Sequence, residues 1–203
     1  MRTIEDLRKF DAIAVRASVA AVARLTAADL GRPTPCAQWD LGALLAHMTV
    51  QHKGFAAAAA GHGADLARWQ PVRLGDDPVR AYAEAAEQVI TAFAADDVGE
   101  REFALPEIST ERPFPGRIAI GFHLVDYVVH GWDVSASLGI PFGLPADVLE
   151  TALPLARAVP GGPSRTAPGA AFAPAQPTAD HADPLAQILA LLGRSPEQAV
   201  GSR

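Results

Sequence analysis

The run from His123 to Asp133, HLVDYVVHGWD, constrains this chain more than any other stretch. It sets His123, Asp126, His130 and Asp133 at i, i+3, i+7 and i+10 within an otherwise apolar segment. On an α-helix these positions fall within an arc of roughly 80°. Two imidazoles and two carboxylates therefore share one face of a helix whose other residues favour burial. Buried groups of this kind must be paired or must bind a metal. Asp126 and His130 are an i, i+4 carboxylate–imidazole pair, adjacent on the helix and able to grip one ion.

The rest of the chain reads as further helices. Residues 4–25 carry helical periodicity through Ile4, Leu7, Phe10, Ile13, Ala14, Ala17 and Ala20. LGRPTPC (30–36) breaks that pattern, and Asp40 is placed to cap a second helix running to about Ala60. Pro78 suits the first turn of a third helix over about 77–95. A short extended hairpin is expected around Phe103 and Phe114. A long fourth helix spans Gly116 to Leu138 and is ended by Gly139 and Pro141. A fifth covers about 146–158, and PLAQILALLG (184–193) forms a last short one. Four or five substantial helices with little strand predict an all-α protein, a helical bundle. The expected organisation is a single domain over 1–203. Its core bundle covers about 1–158, and a Pro/Gly-rich C-terminal segment and short helix over about 159–203 cover it.

Composition removes several classes of function. At 203 residues with 49% hydrophobic and 20% charged, the chain can bury a core without disulfides. Its net charge of −6 argues against nucleic acid as a partner. It has no basic run and nothing near the roughly 20 apolar residues of a membrane span, so no membrane partner is expected. The mixed-charge start is not a signal peptide, and Cys36 is the only cysteine, which together make the cytoplasm the default location. The abundance of Ala and Arg, with Lys9 and Lys53 the only lysines, reads as the codon bias of a high-GC genome. GxSxG, GxxxxGK[ST], HExxH and CxxC are all missing from the sequence.

A metal site needs a third protein ligand, and His47, mid-helix in an apolar segment, is the candidate. The set His47, Asp126, His130 suits Zn²⁺, and also Ni²⁺, Fe²⁺ or Mn²⁺. His123 is a candidate catalytic acid/base, a further ligand or an outer partner of the site. Asp133 is a candidate for proton handling, for orienting a ligand histidine, or for a structural hydrogen bond. His52 lies about 140° around the helix from His47 and should not join that site. Cys36, near the start of the second helix, is read mainly as a packing residue. The site's open position is expected to face a cleft lined partly by the 61–78 loop and the 159–178 segment. Trp69, Phe122, Trp132 and Phe172 are available for its wall.

TPCAQWDLGALLAHM (34–48) together with DYVVHGWDVSASLG (126–139) resembles the mycothiol-dependent maleylpyruvate isomerase-like family. That family belongs to the DinB-like superfamily of four-helix bundles. The closing FAPAQPTADHADPLAQILALLGRSP (172–196) resembles the tail of one short branch. The resemblance implies an antiparallel DinB-like bundle with additional short helices. It also implies a divalent metal, usually zinc, on His47, Asp126 and His130, with Asp126 standing where the isomerase branch has Glu. It implies mycothiol as a thiol cofactor, which fits an actinobacterial source. The separate C-terminal domain of the isomerase is not expected here, so maleylpyruvate is not implied as the substrate.

The leading expectation is a metal-dependent transferase or isomerase in which an activated thiolate attacks an electrophilic small molecule. Alternatives are a thiol-independent metal-dependent hydrolase, lyase or cyclase of secondary metabolism, a non-catalytic small-molecule-binding protein, and a bundle whose polar face is only a hydrogen-bond network. The sequence leaves the oligomeric state open between monomer and homodimer.

Overall fold

The computed structural model describes residues 3–36, 39–71, 73–166, 172–179 and 181–195. Among them the chain forms helices α1 (Ile4–Val22), α2 (Leu41–Ala59), α3 (Pro78–Phe93), α4 (Gly116–Leu138), α5 (Ala146–Ala158) and α6 (Pro184–Leu191). Strands β1 (Glu102–Phe103) and β2 (Phe114–Pro115) pair antiparallel between α3 and α4.

Local chemistry sets the helix starts. The Thr3 hydroxyl accepts from the Asp6 N–H while the Asp6 carboxylate accepts from the Thr3 N–H, a reciprocal cap on α1. Asp40, Asp77 and Asp183 each accept from the backbone N–H three residues on, opening α2, α3 and α6. The fourth helix has no such side chain. Instead the N–H groups of Gly116 and Arg117 donate to the carbonyls of Arg101 and Gly99, at 2.8 and 3.1 Å. The chain around the hairpin thus satisfies the end of α4 from outside. A Cβ on Gly116 would lie 1.8 Å from the Val98 carbonyl oxygen, so only glycine lets the two backbones meet there. At its far end α4 stops at Gly139, in the left-handed conformation with φ of 67°.

Helix α1 packs along α4 and against α3, and α2 packs on α3 and α4, closing a four-helix bundle. Helix α5 lies on α4 and α1, and α6 lies on α5. One apolar cluster includes Phe10, Leu44, Leu45, Met48, Leu124 and Val128. A second gathers Phe55, Trp69, Val89, Phe93, Phe103 and Ile120. Leu41, Leu44, Leu45 and Met48 are wholly buried, and each such side chain stabilises the fold by about 1.5–3 kcal/mol. Together they fix how α2 is rotated, and so where His47 sits. No helix among the described residues is long and apolar enough to cross a membrane.

The Pro/Gly-rich segment is pinned by Arg165. Its buried guanidinium donates to the carbonyls of Val159, Pro160, Ala173 and Leu191. Residues 167–171, within the segment expected to act as a cover, lie outside the described residues.

Candidate metal centre

The polar face of α4 meets the bundle in two separate layers. In the first, His47 of α2 joins Asp126 and His130 of α4, and one ligand atom from each lies within 4.8 Å of the other two. The His130 Nε2 to Asp126 Oδ1 distance is 3.4 Å. The His47 and His130 rings meet edge-on, with centroids 5.4 Å apart, and the Trp39 ring lies 4.4 Å from that of His47. His130 is 1% exposed, whereas the Asp126 side chain keeps 19% of its surface in solvent.

The orientation of His130 follows from Asp133. Its Nδ1 lies 2.9 Å from Asp133 Oδ2, and an ionised carboxylate only accepts, so Nδ1 carries the hydrogen. The other ring nitrogen, Nε2, faces Asp126 and is the atom that would bind a cation, which must displace its proton. Asp133 is wholly buried and is held in turn by Arg194, whose Nη2 and Nε donate to its two oxygens at 2.9 and 3.3 Å.

Charge follows the same geometry. Burial resists ionisation of His130, but Asp126 and Asp133 outweigh it and push the imidazole up to about 9. Burial likewise resists ionisation of Asp126, yet His130 and then His47 bring its carboxyl down to about 2. His47 is pushed down to about 4, first by burial and then by His130, so it offers a neutral ring near pH 7. Two imidazole nitrogens and one carboxylate oxygen facing a common point form a donor set that fits Zn²⁺, and also Ni²⁺, Fe²⁺ or Mn²⁺. The hydrogen bond from His130 to a buried carboxylate is the outer support such ligands need.

The second layer holds His123, which the sequence made a candidate for catalysis. It is wholly buried. Its Nδ1 lies 2.7 Å from Asp11 Oδ1 on α1, and its Nε2 lies 3.2 Å from His52 Nδ1 on α2. The rings of Phe55, Phe93 and Tyr127 surround it. A shared arc does not mean a shared site: seven residues of helix separate His123 from His130 by about 10 Å along the axis. Asp133 does lie at the centre, but on the side of His130 away from Asp126, between that ring and Arg194.

Two further groups border the first layer without any local sequence signal. Gln51, one helical turn beyond His47, donates to Glu107 at 2.5 Å. Glu107 comes from the loop after β1, and its carboxyl is raised by burial and, further, by the charge of Asp126. Arg194 follows α6 and lies with its guanidinium 5.6 Å from the Phe172 ring.

The two segments expected to line the cleft each border a cavity. The 61–78 loop helps line one of about 430 Å³ with Lys53 and Gln88, and the 159–178 segment lines another of about 510 Å³ with Arg157 and Leu191. His47, Asp126 and His130 line neither. Trp69 is no cleft wall: it is 2% exposed, and its indole N–H donates to the Gly63 carbonyl.

Residues 12–135 match the family described as the mycothiol maleylpyruvate isomerase N-terminal domain. The chain belongs to that family. The match takes in α2 and most of α4, hence His47, Asp126, His130 and Asp133, and stops short of Arg194. Two uncharacterised proteins of Mycobacterium tuberculosis, Rv0738 and MT0763, are each 30% identical to this member over 184 residues, covering 88% of this chain and 92% of theirs. Among solved structures, the mycothiol-dependent maleylpyruvate isomerase superposes with a TM-score of 0.55 at 12% identity, over 74% of this chain and 68% of that one. A point variant of the same isomerase gives the same values. At that identity the likeness establishes the fold, an all-α DinB-like bundle.

Proposed function

We propose that this family member is a divalent-metal-dependent enzyme, a thiol transferase or isomerase, that uses mycothiol against an electrophilic small molecule. The observation that carries the reading is the convergence of His47, Asp126 and His130 on one point from two facing helices. Family membership supports the thiol. In this reading His47, Asp126 and His130 hold the cation, with zinc the first choice. When bound there, the cation supplies Lewis acidity that lowers a thiol's pKa and makes it a nucleophile at neutral pH.

The chain's own residues do the remaining work. Asp133 holds a hydrogen of His130 on Nδ1, so that Nε2 is the nitrogen left to bind the cation once its own proton is displaced. Trp39 packs on His47 and shields that ring from water on one side. Glu107, raised above the ordinary carboxyl range and steadied by Gln51, is suited to carry a proton at Oε1 or Oε2 beside the centre. A cytoplasmic setting would supply both thiol and metabolite.

The test begins with metal analysis of the purified protein. Calorimetric titration of the zinc-loaded protein with mycothiol and a screen of electrophiles with and without the thiol follow. Bound zinc, mycothiol heat and thiol-dependent turnover are expected. No heat at millimolar mycothiol would sink the thiol assignment. Turnover without the thiol would transfer the site to hydrolase, lyase or cyclase chemistry.

A further inference from the structure

Arg194 is 2% exposed, and a guanidinium is seldom buried without a specific partner. Its partners are specific. The Nε and Nη2 donors of its fork meet the two oxygens of Asp133, and Nη1 donates to the Leu192 carbonyl at 2.8 Å. Asp133 in turn receives the Nδ1 hydrogen of His130 at 2.9 Å. Arg194, Asp133 and His130 thus form one buried hydrogen-bonded chain, and its last atom, His130 Nε2, faces Asp126. The chain crosses 61 positions of sequence between Asp133 and Arg194.

We infer that Arg194, delivered by the segment after α6, is a positioning residue for the metal centre, acting on His130 through Asp133. The inference rests on the proposed metal site and adds to it a C-terminal element outside the matched family region. Three features support it. The two-pronged contact fixes both oxygens of Asp133, and with them the plane of the carboxylate. The guanidinium is the buried charge partner of that carboxylate, which in the same place accepts the Nδ1 hydrogen of His130. The segment is itself held. The Arg194 N–H donates to the Leu189 carbonyl at 2.8 Å, and Gln176 N–H donates to the Ala190 carbonyl at 2.8 Å. A guanidinium anchored in this way sets where the imidazole points. Lysine would keep the charge but could not match the planar two-atom contact.

The test measures zinc affinity, by competition with a chromogenic chelator, in the wild-type chain and in Arg194→Met, Arg194→Lys, Asp133→Asn and the Asp133→Asn/Arg194→Met double variant. Circular dichroism of each metal-free protein reports folding. Outer partners of metal-bound histidines are typically worth about 10–100-fold in affinity. A loss in that range is expected for Arg194→Met, with a smaller loss for Arg194→Lys. Because Arg194 acts through Asp133, adding Arg194→Met to Asp133→Asn should change affinity by no more than about twofold. A purely structural arginine would instead give losses that add. Native zinc affinity in folded Arg194→Met, or additive losses in the double variant, would overturn the inference while leaving the metal site standing. If Arg194→Met does not fold, Arg194→Lys decides alone: a weakened site supports the inference and an unchanged one overturns it. A wild-type protein that takes up no zinc removes the metal site and this inference together.

Discussion

Asp11 and His123, 112 positions apart, share a 2.7 Å hydrogen bond in the middle of the bundle, and His52 completes the layer 3.2 Å from the other side of the same imidazole. His52 stacks on Tyr127 at 4.0 Å, and its Nε2 is buried with no hydrogen-bond partner among the described residues. Burial and the neighbouring His123 hold His52 well below its ordinary value of 6.5. The folded protein therefore refuses a proton that the unfolded chain accepts. For such a depressed base, stability is fully present above pH 6.5 and falls as pH drops below it. Asp11 is raised by burial against the influence of His123, so its effect has the opposite sign and favours the folded protein as pH falls. The expected result is a falling melting temperature from pH 7 to pH 5, with a shallower fall in His52→Gln. Equal slopes in the two proteins would show that this layer does not set the acid limit.

Gly116 allows a backbone contact that no other residue permits, and α4 carries two of the three proposed ligands. Gly116→Ala should cost more than about 2 kcal/mol, because its Cβ meets backbone that cannot swing away. The check is a denaturant melt with a control, Gly75→Ala, where an added Cβ meets nothing within 4 Å. A Gly116→Ala protein as stable as that control would mean the hairpin moves freely relative to α4.

The helices were legible in the sequence because their signals are local. Apolar spacing, Asp40, Pro78 and Gly139 all act within a turn or two of themselves. The hairpin expected around Phe103 and Phe114 carried no such periodic signal, and it forms with Phe103 opposite Phe114. Within the site, Asp126 and His130 stand out as a pair because i, i+4 is a helical contact. What the sequence hid is what crosses the bundle. Helical arc gives direction but not depth, so His123 and His130 looked like one site and occupy two layers. Asp11, Glu107 and Arg194 each reach a polar partner on another element, and no periodic pattern marks such a residue in advance.

The His47 assignment makes a direct claim. Removing one of three ligands should reduce zinc binding severely, so His47→Ala should show little zinc-dependent stabilisation. The wild type should gain about 2.7 kcal/mol when free zinc reaches a hundred times its dissociation constant. Cys36 sits in the turn before α2, where its N–H donates to the Thr34 hydroxyl and its carbonyl accepts from the Trp39 N–H. Those bonds are backbone bonds and survive Cys36→Ala, which should therefore bind zinc as the wild type does. Thermal melts of the three proteins across a zinc series settle the matter. Full zinc-dependent stabilisation in His47→Ala would remove that residue from the ligand set.

Glu107 should separate binding from turnover. It belongs to a loop, meets Gln51 rather than a proposed ligand, and holds its proton more readily than an ordinary carboxylate because burial and Asp126 both disfavour its charge. Glu107→Gln keeps the size and a hydrogen-bonding partner for Gln51 but can neither release nor accept a proton. Zinc affinity is expected to stay within about twofold of wild type, since Glu107 is not among the converging groups. Positioned proton transfer is typically worth about 10²–10⁴ in rate, so kcat on a responsive electrophile should fall by at least the lower figure. The limb of the kcat profile that reports the Glu107 carboxyl should also disappear with it. A variant that keeps wild-type kcat and the same pH profile would leave Glu107 as a loop anchor for Gln51, and the proton would have to be managed by solvent or by the substrate itself.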